Sequence, residues 1–177
     1  MHGVVSLLDD THYALVENLW AEISRELGLK AFYKTPFPHF SYHVAAHYDL
    51  TMLSLAMKRL AATQPPFKVR TAGLGLFSGP QPVLYLALTR TSALSAFHQL
   101  VWQEVAPTAS NGVAYYHPEQ WMPHITLADG EGFKAHLPDV IRFLGYRSFQ
   151  WEITINNLAL IYDNGDTQEV GLQVPFS

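Results

Sequence analysis

The sequence predicts an α+β fold: a bilobal, pseudo-twofold arrangement of two mainly antiparallel sheets lining a central cleft, with helices outside. Three observations lead there. A short phrase occurs twice, as Pro38-His39-Phe40-Ser41-Tyr42 and as Pro123-His124-Ile125-Thr126-Leu127. Each phrase is followed by a helical pattern and then by two strand-like runs around a turn, with Gly79 40 residues after His39 and Asn164 40 residues after His124. Runs of period two alternate with runs of period 3.6 along the chain, which calls for sheets and for helices to cover them. The matched context predicts one two-lobed domain over residues 1–177, built by an internal duplication of about 1–90 and 91–177.

The elements follow in order. Residues 3–8 read as a buried strand. Residues 11–28 read as an amphipathic helix, with Val16, Leu19, Trp20, Ile23 and Leu27 at helical spacing and Gly28 as its stop. Pro36 and Pro38 make 34–38 a loop, because proline disfavours helix in the residue before it. Residues 39–46 form the first motif strand. Asp49 or Thr51 caps a second helix carrying Leu53, Met57, Leu60 and Ala61, and Gln64-Pro65-Pro66 ends it. Runs 67–77 and 83–90 read as a hairpin around Ser78-Gly79-Pro80. Thr91 or Ser92 begins a third helix with Leu94, Phe97, Val101 and Val105 on one face, and the stretch from Pro107 to Gly112 breaks it. The aromatic stretch 113–122 leads into the second motif strand. Residues 131–144 form a fourth helix that Pro138 delays or kinks. Trp151, Ile153 and Ile155 alternate, then the apolar phase flips at Asn156-Asn157, which predicts a bulge. Asn164-Gly165 is a type I′ hairpin signal, and Val170, Leu172 and Val174 complete the last strand.

Composition narrows the function classes. The chain has 177 residues, 49% of them hydrophobic and 13% aromatic, enough for a packed core. No apolar run reaches the ~18–20 residues that span a bilayer, so no membrane partner is expected. The start of the chain, from Met1 to Asp10, lacks the basic region of a signal peptide and reads as a strand, so a cytoplasmic location is the expectation. There is no cysteine, hence no disulfide, zinc-thiolate site or thiol nucleophile. A net charge of −4 with 11 dispersed Lys and Arg argues against nonspecific binding of long nucleic acid and leaves a nucleotide, an oligonucleotide or an RNA end as substrate. A monomer is expected.

In a strand, side chains alternate between faces, so His39 and Ser41 share one face and His124 and Thr126 share another. Two imidazoles, each beside a hydroxyl, suit acid–base chemistry on a phosphate. One histidine removes a proton from the attacking group and the other protonates the leaving oxygen. Ser41 and Thr126 would donate to nonbridging phosphate oxygens, where charge develops. The scheme calls for no metal and no other cofactor. By strand phase His43 and His47 also fall on the His39 face, but about 3.4 Å of rise per residue carries His43 beyond reach of the same phosphate. His43 therefore reads as a rim or core residue. A metal cluster of His39, His43 and His47 needs helical spacing, which Pro36 and Pro38 oppose. Tyr115, Tyr116 and Trp121 are candidates to stack a base, although packing is the ordinary role for such residues. Tyr33 and Lys34 are candidates to contact a phosphate or base, although a solvated loop is the ordinary reading, and Arg70 and Arg90 are candidates to place a charge near the groove, although strand-exposed arginine is the ordinary case.

The paired Pro-His-x-Ser/Thr phrases, the length and the duplicated layout resemble the two-histidine phosphoesterase superfamily, and within it the 2′-5′ RNA ligase family. The resemblance covers nearly the whole chain. It implies metal-independent chemistry on a 2′,3′-cyclic phosphate or a 2′-5′ phosphodiester in a groove faced by both motifs. His39 and His124 would be the acid–base pair and Ser41 and Thr126 the phosphate donors. The first copy departs from the commonest pattern in carrying serine, which keeps the hydroxyl. Two other readings stand beside hydrolysis: a non-catalytic nucleotide- or RNA-end-binding module on the same fold, and reversible 2′-5′ RNA ligation.

Overall fold

A computed structural model describes residues 1–30, 32–165 and 167–177. In chain order the elements are β1 (His2–Leu7), α1 (Asp10–Leu27), β2 (His39–Tyr48), α2 (Leu50–Thr63), β3 (Phe67–Phe77), β4 (Val83–Leu88), α3 (Ser92–Val105), β5 (Ala109–Gly112), β6 (His124–Ala128), α4 (Gly130–Leu144), β7 (Glu152–Ile155), β8 (Asn157–Asp163) and β9 (Gln168–Pro175). Five strands form one sheet in the order β5-β2-β1-β8-β9, and four form a second in the order β6-β4-β3-β7. The strand pairings are antiparallel.

The expected α+β architecture is present. The helices α2 and α3 pack on each other and against β2, β8 and β9 of the first sheet. Helix α1 packs with α4, and its Trp20 indole N–H donates to Leu127 O of β6 at 2.9 Å. One hydrophobic cluster runs through both sheets, with Phe40 and Tyr42 behind the first motif and Ile125 and Leu127 behind the second. Among the described residues, no helix is long and apolar enough to cross a membrane.

The local signals act as their chemistry dictates. Asp49 caps α2 by accepting from Met52 N, and Thr91 caps α3 by accepting from Leu94 N. Gly28 closes α1 at φ 68°, a left-handed conformation that glycine adopts without a Cβ clash. Pro138 kinks α4, whose backbone leaves helical geometry two residues earlier at His136.

Three expectations are corrected. The stretch after Pro107 is not only a break: Ala109–Gly112 is an edge strand on β2, pairing Gly112 with Ala45 and Ser110 with His47. Its Ala-Ser-Asn-Gly sequence is largely exposed and carries no apolar alternation to announce it. The phase flip at Asn156-Asn157 is not a bulge within one strand. There the chain leaves the second sheet as β7 and enters the first as β8, so the buried face changes with the sheet. The β8–β9 hairpin pairs Asp163 with Gln168, and Asn164 N donates to Thr167 O at 3.2 Å, so Asn164 belongs to the ladder rather than to the centre of the turn. Asn164 Oδ1 accepts from Thr167 N across that loop, Gly165 has φ 96°, and Asp166 lies outside the described residues.

Strand order mirrors between the sheets. The run β2-β1-β8 in the first corresponds to β6-β4-β3 in the second. Each sheet therefore takes strands from both sides of the chain's midpoint: β3 and β4 precede it and lie in the second sheet, while β5, β8 and β9 follow it and lie in the first. Asn157 fastens β8 to β1. Its buried amide accepts from Leu7 N at 3.1 Å and donates to Leu7 O at 3.0 Å, completing the β1–β8 edge. Replacing Asn157 by alanine strands both Leu7 groups, and a loss of about 2–4 kcal/mol is expected in urea unfolding followed by far-UV circular dichroism.

Candidate active site

The two motif strands are built alike. Each begins after a proline, which has no N–H to offer a ladder and so sits at a strand start. Pro38 O accepts from Leu8 N at 3.1 Å, and Pro123 O accepts from Leu88 N at 3.0 Å. Each histidine then turns its Nδ1 to the carbonyl two residues earlier: His39 to Phe37 O at 2.5 Å, His124 to Met122 O at 2.7 Å. A carbonyl only accepts, so Nδ1 must carry the proton. In both rings Nε2 is left as the basic nitrogen.

The alternation places the chemistry as the strand period requires. His39, Ser41, His124 and Thr126 are half-buried, while the intervening Phe40, Ile125 and the following Tyr42 and Leu127 are buried. All four predicted site residues line a single cavity of about 350 Å³. A second cavity of about 800 Å³ shares Val44, Tyr116, His124, Thr126 and Asp129 with the first, so a continuous groove passes the histidine pair. Tyr116 lines both cavities.

Packing holds the pair in place from both sides. Gly75 of β3 lies opposite Tyr85 of β4, and a Cβ there would sit 2.4 Å from the Tyr85 ring. Glycine lets that ring lie across β3, where it stacks near Phe77 at 4.2 Å and reaches His124 at 5.1 Å. Phe77 meets the His124 ring edge-on at 5.0 Å. On the other side Trp121, three residues before His124, donates its indole N–H to Ser41 O at 2.9 Å. It thereby ties the lead-in of one motif to the backbone of the other. The Arg90 guanidinium holds Trp121 O and Pro118 O, and the buried His98 ring stacks on Trp121 at 3.7 Å. Trp121 and Arg90 are thus structural supports, and Arg70 is engaged by Glu152.

Burial and proximity set the protonation. Burial, with a smaller contribution from the nearby His124, pushes His39 down to about 4, against the pull of the Phe37 carbonyl. Burial also lowers His124, against Met122 O. His43 and His98, both buried, are pushed down to about 4 as well. Between about 4 and the ordinary value of 6.5 the unfolded chain binds more protons than the folded one, so stability rises with pH across that window. It is lost as the pH falls from 6.5 towards 4, by roughly 1.4 kcal/mol per pH unit for each fully buried ring at most. Urea midpoints measured from pH 7 to pH 4 should show this decline, with a shallower slope in His98→Gln.

The structure corrects the phase reading of His43. On β2, Ser41 and His43 pair with the successive residues Val5 and Val4, leaving Tyr42 as a bulge. The bulge reverses the faces beyond it. Val44 enters the cavity and His43 turns into the core, where the Tyr48 hydroxyl meets its Nδ1 at 2.6 Å. Tyr33 and Lys34 are not simply a solvated loop: both line the cavity, and Tyr33 stacks on Trp20 at 4.2 Å. Tyr115 is 78% exposed at the rim of the larger cavity.

Asp129 is the site residue that sequence reasoning missed. It stands at the N-cap of α4, where an aspartate ordinarily accepts from its own helix. Here the side chain makes no such bond. Its Oδ1 instead accepts from Lys34 N at 2.8 Å, and its Oδ2 lies 3.9 Å from Lys34 Nζ. Burial raises the Asp129 carboxyl above its ordinary range, against the Lys34 charge and N–H. No sequence signal distinguishes this carboxylate from an ordinary cap.

A two-sheet fold with a His-x-Ser strand and a His-x-Thr strand meeting in one cavity defines a class, and comparison places the chain within it. The sequence profile of the 2′-5′ RNA ligase superfamily matches residues 9–167. The chain belongs to that superfamily. Among solved structures it is similar to the Thermus thermophilus protein TT0787, with a TM-score of 0.66 and 16% identity over 99% of this chain and 97% of that one. It is also similar to E. coli LigT complexed with 3′-AMP, with a TM-score of 0.65 and 16% identity over 99% and 97%. A third, described as a phosphoesterase, has a TM-score of 0.59 and 17% identity over 99% and 97%. At these identities the likeness is one of fold. A search of curated protein sequences finds no match.

Proposed function

We propose that the protein is a metal-independent phosphoesterase that hydrolyses a 2′,3′-cyclic phosphate, or a related 2′-5′ phosphodiester, of a nucleotide or RNA end. The observation that carries this reading is the pair of identically oriented imidazoles in one cavity, each with a hydroxyl residue two positions along its strand. Superfamily membership and the LigT structure holding 3′-AMP support it.

The reaction runs through the two Nε2 atoms. One takes a proton from water as the oxygen attacks phosphorus. The bond from phosphorus to O3′ breaks, and the other imidazolium gives its proton to the departing oxygen, leaving a 2′-phosphate. Transfers of this kind contribute about 10²–10⁴-fold in rate. Ser41 and Thr126 donate to the nonbridging oxygens.

The lowered proton affinity of both rings makes them neutral in the free site at pH 7. A bound phosphate anion stabilises an imidazolium beside it. The substrate therefore recruits its own general acid. Calorimetry of adenosine 2′-monophosphate binding at pH 7, in buffers of different ionisation enthalpy, should register net proton uptake.

The direct test is turnover of nucleoside 2′,3′-cyclic phosphates in excess chelator. Formation of the 2′-monophosphate is expected, falling by at least about 10²-fold in His39→Ala and again in His124→Ala with the fold intact. Tight binding without product would instead identify a binding module. Joining of a cyclic-phosphate end to a 5′-hydroxyl end would identify ligation.

A further inference from the structure

The groove is poor in uncompensated positive charge for a site that takes phosphate: the Met1 ammonium that lines it lies 3.5 Å from Asp163 Oδ2. Among the described residues lining its two cavities, Lys34 is the one lysine or arginine. That lysine is already engaged. Asp129 lies at the junction of both cavities, grips the Lys34 backbone N–H and stands 3.9 Å from its ammonium. The carboxylate gives up its cap of α4 to do so. Its side chain is 17% exposed against 67% for Lys34, so the negative charge is held inside while the positive one reaches to the rim.

We propose that Asp129 is a specificity-determining residue: by offsetting Lys34 inside the groove, it makes the site favour a monoanionic phosphodiester over a dianionic phosphate monoester. The inference rests on the phosphoesterase reading above. A cyclic phosphate or a 2′-5′ diester carries one negative charge. The hydrolysis product carries nearly two above its second pKa of about 6. Coulomb energy scales with ligand charge, so a fixed carboxylate disfavours the product twice as strongly as the substrate. The groove admits diester, releases monoester, and limits product inhibition. In a ligation both sides of the reaction are diesters, and the same residue would leave them equally accommodated.

The test uses Asp129→Asn, which keeps an oxygen for the Lys34 N–H and removes the charge. Adenosine 2′,3′-cyclic phosphate and adenosine 2′-monophosphate are the probes at pH 8. Calorimetry gives the monophosphate affinity without any turnover, and initial rates give KM for the cyclic phosphate. Because the dianion feels the lost carboxylate doubly, a tightening of about threefold for the cyclic phosphate goes with about tenfold for the monophosphate. In Asp129→Asn/Lys34→Met the gain should disappear, since the exposed cation causes it. Circular dichroism confirms the fold of each variant. Equal shifts for both ligands, or none, would overturn the role of Asp129 while leaving the phosphoesterase reading intact. A wild-type protein that neither binds the monophosphate nor turns over the cyclic phosphate would overturn both.

Discussion

The site depends on one bond made twice: an imidazole Nδ1–H donated to the carbonyl two residues upstream. It is a short local contact within each motif, requiring only that the chain enter the strand from a Pro-containing bend. It leaves Nε2 as the basic nitrogen of each ring, and it sets ring direction relative to the strand. A histidine alone in a cleft has two tautomers and free rotation about its side chain. Here both freedoms are removed at both positions by the same means, before any ligand arrives. The remaining architecture serves to bring the two local units together. Leu8 and Leu88 anchor the prolines, the Trp121 indole bridges the motifs, and the Tyr85 ring reaches His124 because Gly75 leaves room for it.

Local periodicity was legible and tertiary context was not. The four helices, their caps and the two motif strands follow from apolar spacing and from Asp, Thr and Gly at particular positions. That His39, Ser41, His124 and Thr126 share one cavity was readable because the same phrase occurs twice. Where the reading fails, a non-local event intervenes. Tyr42 bulges because β1 pairs with its flanks, and that turns His43 away from the face its numbering predicts. The reversal at Asn156 records a change of sheet, which no window of sequence distinguishes from a bulge. β5 has no apolar face and exists because β2 offers it an edge. Asp129 looks like a helix cap, and its true partner is a backbone N–H 95 residues away.

The electrostatics of the groove differ from those of proteins that hold nucleic acid by charge. Affinity for long polyphosphate chains comes from many lysines and arginines neutralising backbone charge. Burial lowers the proton affinity of both histidines, and among the described residues lining the groove there is one lysine, already facing a carboxylate. On the function proposed above, a single phosphate would be held through hydrogen bonds and a conditional proton rather than through standing positive potential. The acidic overall balance of the chain is consistent with that division of labour.

The mixing of early and late strands in each sheet has a consequence for how the molecule comes into being. Gly3 pairs with Ile161 and Val5 with Ala159, so the central strand of the first sheet stays half-bare until nearly the whole polypeptide is available. The pairings of β1 with β2 and of β3 with β4 lie within the first half of the chain, but neither sheet is complete without strands from the second. Contacts of such long sequence separation slow folding, because loop entropy is surrendered before they form. Complete order should thus arrive late, once β8 has paired with β1.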